Sequence, residues 1–319
     1  MKTKKIIAVT GATGAQGGGL VRAILNDQNS EFSVRALTRD KNSDKAKALT
    51  SLGAEVVEAD LDDLESLKKA FHGAYGAYCV TFFWDHMSPE KELKQAENMA
   101  EAARLTGLKH VIWSTLEDSR NWISLEDDQM PTLMGKYKVP HTDAKGEAND
   151  YFKERNVPTT FFLTSFYWEN FIMFGMGPQP GPDGKLAITF PMGDKKLPGI
   201  ASEDIGKCAY GILKKGEDFI GRTIGIAGEH LTGAEMADGF SRLLGQEVVY
   251  NKVSPEVYRG FGFPGAEDIG NMFQFQRDFN QDFIKPRKVT LSKELNPALQ
   301  NFDQWLAKNK SLFAIPEVA

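Results

Sequence analysis

The sequence predicts an α/β protein with a doubly wound parallel sheet and a smaller C-terminal α/β lobe. Two observations carry this prediction: strand and helix patterns alternate through the first half of the chain, and a glycine-rich turn joins the first strand to the first helix. An alternating βα order produces a parallel sheet with helices on both faces. Ligand sites in such sheets lie at the carboxyl ends of the strands.

The first half of the chain contains the strand and helix patterns of this sheet. The strand patterns are short apolar runs rich in β-branched residues, whereas the helix patterns repeat apolar residues every three or four positions. The predicted strands cover Lys5–Thr10, Ser33–Thr38, Glu55–Ala59, Gly76–Phe82 and His110–Ser114. The predicted helices lie around Leu20–Leu25 and over Asp44–Leu52, Leu61–Phe71 and Pro89–Thr106.

The second half is less regular and defines the C-terminal lobe. We predict a loop over 117–140, a helix over Thr142–Arg155, a strand over Thr159–Thr164, a Gly- and Pro-rich connection over Gly175–Gly184 and a strand over Leu186–Phe190. Further helices are predicted near 203–215, 232–244, 266–283 and 298–310. This pattern divides the chain into a sheet domain, residues 1–160, and a smaller lobe, residues 161–319, with segments that return to the sheet.

The composition is that of a globular protein and argues against several functional classes. The 319 residues carry 38 basic and 43 acidic side chains, and the net charge of −5 argues against direct binding of nucleic acid. Two cysteines are too few for a disulfide scaffold or a Cys-based zinc site, and no metal-ligand spacing is visible. Neither a transmembrane stretch nor a signal peptide is apparent, so we expect a cytoplasmic protein without a membrane partner.

The strongest functional signal is a glycine-rich turn that follows the first strand and opens the first helix. It reads Gly11, Ala12, Thr13, Gly14, Ala15, Gln16, Gly17. Glycine permits a tight turn and close approach of a pyrophosphate, while the free N–H groups at the helix N-terminus face the anion. In this strand–turn–helix context, the spacing predicts a dinucleotide site in a Rossmann-type domain.

The end of the second predicted strand indicates which dinucleotide binds. NAD-selective folds commonly carry Asp or Glu about 20 residues after the turn, where it binds the ribose 2′-hydroxyl. Here the sequence reads Thr38-Arg39, and a guanidinium suits a 2′-phosphate through bidentate charged hydrogen bonds. We therefore predict NADP(H), with a solvated surface arginine as the alternative reading of Arg39. After the third strand, Asp60 binds the adenine amino group, caps the next helix, or does both.

Several segments taken together resemble the NmrA-like family of atypical extended short-chain dehydrogenases/reductases. They are the glycine turn, Thr38-Arg39, the run Tyr167-Trp168-Glu169-Asn170 and the run Gly262–Ala266. The resemblance extends over nearly the whole chain, from Lys5 to the last predicted helix. It is closest to the NADPH-sensing NmrA-like domain proteins.

The resemblance implies a cofactor site assembled from many segments. It assigns the pyrophosphate to residues 11–16, the 2′-phosphate to Arg39 and the adenine to Asp60 and Leu61. It assigns the ribose and nicotinamide to Thr81, Phe82, Phe83, Lys94 and Lys145, with Tyr167, Trp168, Glu169 and Asn170 closing over the nicotinamide. Family members often carry Asn at the position of Phe82, so this chain lacks a side-chain hydrogen bond there.

The catalytic residues of ordinary short-chain dehydrogenases are only partly present. Those enzymes use Tyr-x-x-x-Lys on one helix face and a Ser near the end of the fifth strand, and the lysine lowers the tyrosine pKa. This chain has Ser114 and Lys145, but His141 stands four residues before the lysine. His141 is either an acid/base group or a partly exposed residue at a helix start. Tyr137 is a weaker substitute, and Lys145 is expected to bind cofactor rather than act as a base.

Two functions remain open at this point. The resemblance and the missing tyrosine favour an NADP(H) redox sensor that acts through protein partners, with a nuclear location if it regulates transcription. Lys145, Ser114 and an aromatic run over Phe161–Phe174 favour instead an NADPH-dependent reductase of a small carbonyl or quinone-like substrate. Within that run we expect Phe161 and Phe162 in the core, and Tyr167 and Trp168 at the pocket.

Overall fold

The structure is a computed structural model that describes residues 3–181 and 184–313. Its first half alternates strands and helices as predicted. The elements are β1 (Lys5–Val9), α1 (Ala15–Asn26), β2 (Phe32–Thr38), α2 (Asp44–Ser51), β3 (Glu55–Glu58), α3 (Leu64–Phe71), β4 (Gly76–Cys79), α4 (Pro89–Thr106), β5 (His110–Thr115), α5 (Pro140–Glu147), α6 (Asn149–Glu154) and β6 (Thr159–Leu163). Short 3₁₀ turns follow β4 and β5.

The C-terminal lobe contains shorter elements. They are β7 (Phe166–Tyr167), α7 (Asn170–Met173), β8 (Gln179–Pro180), β9 (Leu186–Thr189), β10 (Leu197–Ile200), α8 (Ser202–Lys215), β11 (Thr223–Gly225), β12 (Glu229–Leu231), α9 (Gly233–Leu244), β13 (Val248–Asn251), α10 (Pro255–Arg259), α11 (Ala266–Asp278), α12 (Asn280–Ile284), α13 (Val289–Leu295) and α14 (Phe302–Lys308). Most of these strands, of two to four residues, and the seven-residue helix α13 were not predicted, because such short segments carry too little periodicity to be detected.

The central sheet has seven parallel strands in the order β11-β6-β5-β4-β1-β2-β3. The predicted doubly wound α/β fold is therefore confirmed. The direction of winding reverses at β1, which pairs with β2 on one side and β4 on the other. Thr10 joins these strands at their carboxyl ends, because its hydroxyl donates to Val80 O (3.0 Å) and accepts from Val80 N (2.8 Å). Such a switch point is where ligands bind in this fold.

The two predicted halves interleave. The boundary at 160/161 falls inside β6, which pairs with β5 as far as Leu163, so the sheet domain continues past the predicted division. From the C-terminal lobe, β11 returns to the sheet edge beside β6. Helix α8 packs directly on α1, where a Cβ added to Gly206 would lie 2.1 Å from Leu20 N. The sheet and the α1–α8 contact thus set the position of the second lobe.

Several predicted boundaries were wrong for local reasons. Helix α3 begins at Leu64 instead of residue 61, because the Asp63 carboxylate accepts from Glu65 N and caps the helix. The predicted helix over Thr142–Arg155 is divided into α5 and α6 at Ala148. The predicted helix near 298–310 starts only after Asn301, which forms a capping box.

The remaining differences are smaller. The predicted helix over 266–283 is interrupted at Phe279, and β4 ends at Cys79 instead of Phe82. Pro182 and Asp183 of the predicted Gly- and Pro-rich connection lie outside the described residues, as do residues 1–2 and 314–319 of the two predicted domains. In the part of the chain that the structure describes, we find no helix that combines the length and apolarity needed to cross a membrane.

Candidate functional site

The glycine-rich turn lies at the switch point between β1 and β4. Gly11 has φ +58°, a left-handed conformation that favours glycine, and a Cβ on Gly17 would lie 2.4 Å from Gly11 O. Gly14 occupies the N-cap of α1 and provides no side-chain hydrogen bond to the helix N–H groups. These N–H groups are therefore available to an anion, as a diphosphate site requires.

The residues predicted for the adenosine half lie at the carboxyl ends of the neighbouring strands. Arg39 directly follows β2, its side chain is 75% exposed, and its guanidinium lies 2.9 Å from the Asp85 carboxylate. An exposed ion pair of this kind contributes little stability, so the guanidinium can exchange partners. Asp60 is exposed after β3 and accepts from Asp62 N, while the Leu61 carbonyl accepts from Asn98 Nδ2 (2.9 Å). Asp60 is not the helix cap.

The segment after β4 is divided between the edge of the sheet and the interior. Thr81 is buried, whereas Phe82 is 61% exposed, as expected for a residue at an open edge. Phe83, predicted to face the ribose or nicotinamide, is 3% exposed and packs its ring against His86 and His141. Phe83 therefore packs beneath His141 in the interior and is not on the surface that a ligand would contact.

His141 is held by a carboxylate from the C-terminal lobe. Its Nδ1 lies 2.6 Å from Asp268 Oδ1, and its backbone N donates to Asp268 Oδ2 (3.1 Å). Asp268 lies in the first turn of α11, and the Trp84 ring packs 4.9 Å from the imidazole. With Nδ1–H donated to the carboxylate, a neutral ring keeps its lone pair on Nε2. Asp and His are paired in the same way in general acid/base sites.

Lys145 lies one turn after His141 on the same face of α5 and is bound to Glu92. Its Nζ is 2.6 Å from Glu92 Oε1 and 2.5 Å from Thr81 Oγ1. Glu92 is completely buried near the start of α4. Burial alone would raise the pKa of Glu92, but the Lys145 ammonium and hydrogen bonds from neighbouring side chains lower it to about 2. Lys145 is thereby held beside an ionised carboxylate.

Ser114 lies on the other face of the sheet. Its hydroxyl donates to Gln16 Oε1 (2.8 Å) beside α1, whereas the next residue, Thr115, donates to the Lys145 carbonyl (2.9 Å). Successive strand residues face opposite sides of a sheet, so the Ser114 hydroxyl lies with Gln16 of the glycine-rich turn and makes no hydrogen bond to His141 or Lys145 among the described residues. A catalytic role of Ser114 beside those two residues stays a prediction.

A family model decides the relationship of this chain to known proteins. The model of the NmrA-like family matches residues 3–306. The chain belongs to the NmrA-like family.

Relatives and solved structures agree with this membership. The NmrA-like family domain-containing oxidoreductase FrzB of a Cladobotryum species is 30% identical over 304 residues, which cover 88% of this chain and 86% of the relative. The negative transcriptional regulator Nmra has a TM-score of 0.78 at 23% identity, covering 95% of this chain and 94% of that chain, and has also been solved with NAD and with NADP. The triphenylmethane reductase of Citrobacter sp., solved with NADP(H), has a TM-score of 0.73 at 22% identity, covering 95% and 99%.

In this NmrA-like chain, the run Tyr167–Asn170 is not a single lid. Tyr167 lies at the site, because Gln16 Nε2 donates to its hydroxyl. Trp168, predicted at the pocket, is completely buried among the rings of Phe302 and Trp305, so that prediction was wrong. Glu169, predicted to close over the nicotinamide, instead accepts from Ser202 N (2.8 Å) and Trp305 Nε1 (3.1 Å). Asn170 is the first residue of α7.

Lys94 is also placed away from the other candidates. Its ammonium pairs with Glu97 at 3.0 Å, and its side chain is 63% exposed. Residues two apart on a helix differ by about 200° in direction, so Lys94 and Glu92 lie on opposite sides of α4. The structure thus brings Lys145 to the site and leaves Lys94 on the outer surface. Phe161 and Phe162, predicted in the core, are buried there.

Sequence reasoning missed two residues of this site, Glu92 and Asp268. A signal existed for Glu92, because it is in helical phase with the apolar residues Ala96 and Met99 and so had to be buried. Asp268 had no comparable signal, since its partner His141 lies 127 residues away. Within residues 3–181 and 184–313, no group of three or more His, Cys, Asp or Glu side chains is arranged to hold a metal ion.

Proposed function

We propose that this protein is an NADP(H)-dependent oxidoreductase that reduces a small carbonyl or quinone-like substrate. The observation that carries the proposal is the Asp268–His141 pair, which occupies the helical position of the missing tyrosine, one turn before Lys145. A family relative is named an oxidoreductase, and two structural neighbours are solved with NADP or NADP(H). An acid/base pair beside a dinucleotide turn has the chemistry of a reductase.

The residues present fit NADP(H). An added Cβ would lie 2.9 Å from Val80 at Gly11, and 3.2 Å and 2.4 Å from Gly11 O at Gly14 and Gly17, so the turn is tightly closed at its glycines. Arg39 lies exposed at the end of the adjacent strand. We assign the diphosphate to the N–H groups of Ala15, Gln16 and Gly17, because the Gly14 N–H already donates to the Gly11 carbonyl (2.9 Å). We assign the 2′-phosphate to Arg39 and the ribose side to Lys145. When bound, NADPH supplies a hydride to the substrate.

The protein's own residues then handle the proton. Protonated on both ring nitrogens, His141 gives its Nε2 proton to the substrate oxygen and becomes neutral, while Nδ1–H stays hydrogen-bonded to Asp268, which keeps the ring in the orientation that this transfer needs. Lys145 remains a positive charge at the carboxyl edge, because Glu92 and Thr81 hold its ammonium in place. Trp84 and Phe83 exclude water from one side of the imidazole.

An assay of NADPH oxidation with a broad panel of carbonyls and quinones tests the proposal. We expect turnover with at least one class of substrate, and we expect it to depend on His141. Tight NADPH binding without turnover across the panel would instead favour the sensor function.

The sensor remains the second candidate because of one contact. Gln16, in the phosphate turn, donates to the Tyr167 hydroxyl, and its carbonyl accepts from Tyr78 and Ser114. A single side chain therefore links the cofactor turn to the first strand of the C-terminal lobe. Such a link supports transmission of cofactor occupancy to a partner surface on that lobe.

Arg39→Ala is expected to remove most of the preference for NADP(H) over NAD(H). Loss of a charged hydrogen bond costs about 1.5–3 kcal/mol, so the affinity for NADPH should fall about tenfold to a hundredfold while NADH affinity changes little. Fluorescence titration of both cofactors measures this. Arg22→Ala, on α1, serves as the matched control. An unchanged cofactor preference in Arg39→Ala would contradict the assignment.

Gly14→Val is expected to abolish NADP(H) binding in a protein that still folds. A first Cβ at this position would already lie 3.2 Å from Gly11 O, and the two valine methyls would occupy the path of the diphosphate. Circular dichroism checks the fold, and cofactor titration checks the binding. Binding at wild-type strength would show that the turn is not the cofactor site.

A further inference from the structure

We propose that Glu92 is a positioning residue of the cofactor site, a buried carboxylate that holds the ammonium of Lys145 in place for the cofactor. The inference rests on the proposed function, because that function assigns Lys145 to the ribose side of NADP(H). It adds a residue on α4 that no sequence motif marks.

The burial of Glu92 requires a partner. Its side chain has no exposed surface, and an isolated carboxylate in such a place is strongly unfavourable. Oxygen Oε1 accepts from Lys145 Nζ (2.6 Å) and from Thr81 Oγ1 (2.5 Å). The carboxylate and the ammonium therefore stabilise one another, and each determines where the other lies.

The geometry around Lys145 leaves it able to bind a ligand. An ammonium has three N–H donors, and Glu92 and the Thr81 hydroxyl take two of them. The one further hydrogen bond that Nζ donates among the described residues goes to the Thr81 carbonyl, at 3.4 Å, and is weak. The Trp113 ring lies 5.5 Å away on another side. The third N–H is held only by the long hydrogen bond to the Thr81 carbonyl, so a ligand at the carboxyl edge of β4 can take it.

The second oxygen of Glu92 faces His86. The distance from His86 Nε2 to Glu92 Oε2 is 3.5 Å, and neither atom has a hydrogen-bond partner among the described residues. Ser88 N donates to His86 Nδ1, so a neutral ring carries its proton on Nε2, toward the carboxylate. The Asp268 carboxylate on α11 is engaged by His141. Glu92 is thus the anion in direct contact with Lys145.

A double-mutant cycle with Glu92→Gln and Lys145→Met tests the inference. The readout is NADPH affinity by fluorescence titration, which needs no turnover. We expect Glu92→Gln alone to weaken binding about tenfold, and to have no further effect in the Lys145→Met background, because Glu92 acts through the lysine. Glu97→Gln, on the outer side of the same helix, is the control and should bind as the wild type does.

The pH dependence of binding distinguishes positioning from a general loss of stability. In Glu92→Gln, a buried ammonium without its carboxylate loses its proton more readily, so NADPH affinity should fall as the pH rises from about 7 to about 9. The wild type should show no such fall. Glu92→Asp keeps the charge, so it should bind more weakly while keeping the wild-type pH dependence; it also replaces Glu92→Gln if that variant does not fold.

Three results separate the possibilities. An equal loss of affinity from Glu92→Gln in both backgrounds would overturn the inference, because Glu92 would then act independently of Lys145. Wild-type affinity in Glu92→Gln would overturn it as well. A wild-type protein that does not bind NADPH would overturn the proposed function, and the inference with it.

Discussion

Replacement of His141 by Gln should lower kcat for NADPH-dependent reduction by about a hundredfold to ten-thousandfold, the usual contribution of a positioned acid or base. The NADPH affinity should change little, because the imidazole is assigned to the substrate oxygen and not to the cofactor. Steady-state kinetics with the best substrate of the panel, together with cofactor titration, measure the two quantities separately.

The Asp268→Asn variant tests the second member of the His141–Asp268 pair. Asn preserves the shape of Asp268 but offers no carboxylate to Nδ1 of His141, so the ring loses its fixed tautomer. A large loss of kcat is expected here too, and the double variant should be little worse than either single one. Asp278→Asn, at the end of the same helix, is the control. Full activity in His141→Gln would mean that the proton donor lies elsewhere.

The Gly206→Ala substitution should destabilise the protein by about 3 kcal/mol or more, the upper range for overpacking of a closely packed core. The new Cβ would lie 2.1 Å from Leu20 N and 2.2 Å from Gly19 C, which are backbone atoms of α1. Neither can move aside as a flexible side chain does, so α1 and α8 must separate. Denaturant unfolding at equilibrium measures the change in free energy.

A second glycine gives the control for this prediction. Gly260 has ordinary helical φ and ψ, and an added Cβ would come no closer than 3.3 Å to a carbonyl of its own helix. Gly260→Ala should therefore change the free energy of unfolding by about 0.5 kcal/mol or less. If Gly206→Ala were as stable as the wild type, the close contact of the two helices would be excluded.

The glycine-rich turn could be predicted because its signals are local. The glycine spacing, the strand before it and the helix after it all lie within residues 5–26, and the reason for each glycine is backbone geometry. Arg39 could be predicted in the same way, since it follows a strand whose end must lie near the turn in a parallel sheet. The tertiary structure keeps the turn at the start of α1 and Arg39 at the end of β2, as the sequence predicts.

The residues that we propose for proton transfer could not be predicted in the same way. His141 became a credible acid/base group only when α11 placed Asp268 against it, and those residues are 127 positions apart. Lys94 and Lys145 are the same residue type and were equally plausible as cofactor ligands. Lys94 nevertheless lies on the outer face of α4, where its side chain is exposed. Trp168 is likewise buried because its ring packs against Trp305, which lies in the last helix of the described chain.

The sequence by itself determined the class of fold, the glycine-rich turn and the absence of a tyrosine four residues before Lys145, because each depends on the order and spacing of neighbouring residues. Only the tertiary structure decided which polar side chains meet. Ser114 and Thr115 are adjacent in the chain, but they face opposite sides of the sheet and so belong to different clusters. Glu92 has a charged side chain, a type usually found on the surface, yet the fold buries it completely. Its carboxylate is stable in the interior because the Lys145 ammonium, on another helix, supplies the opposite charge.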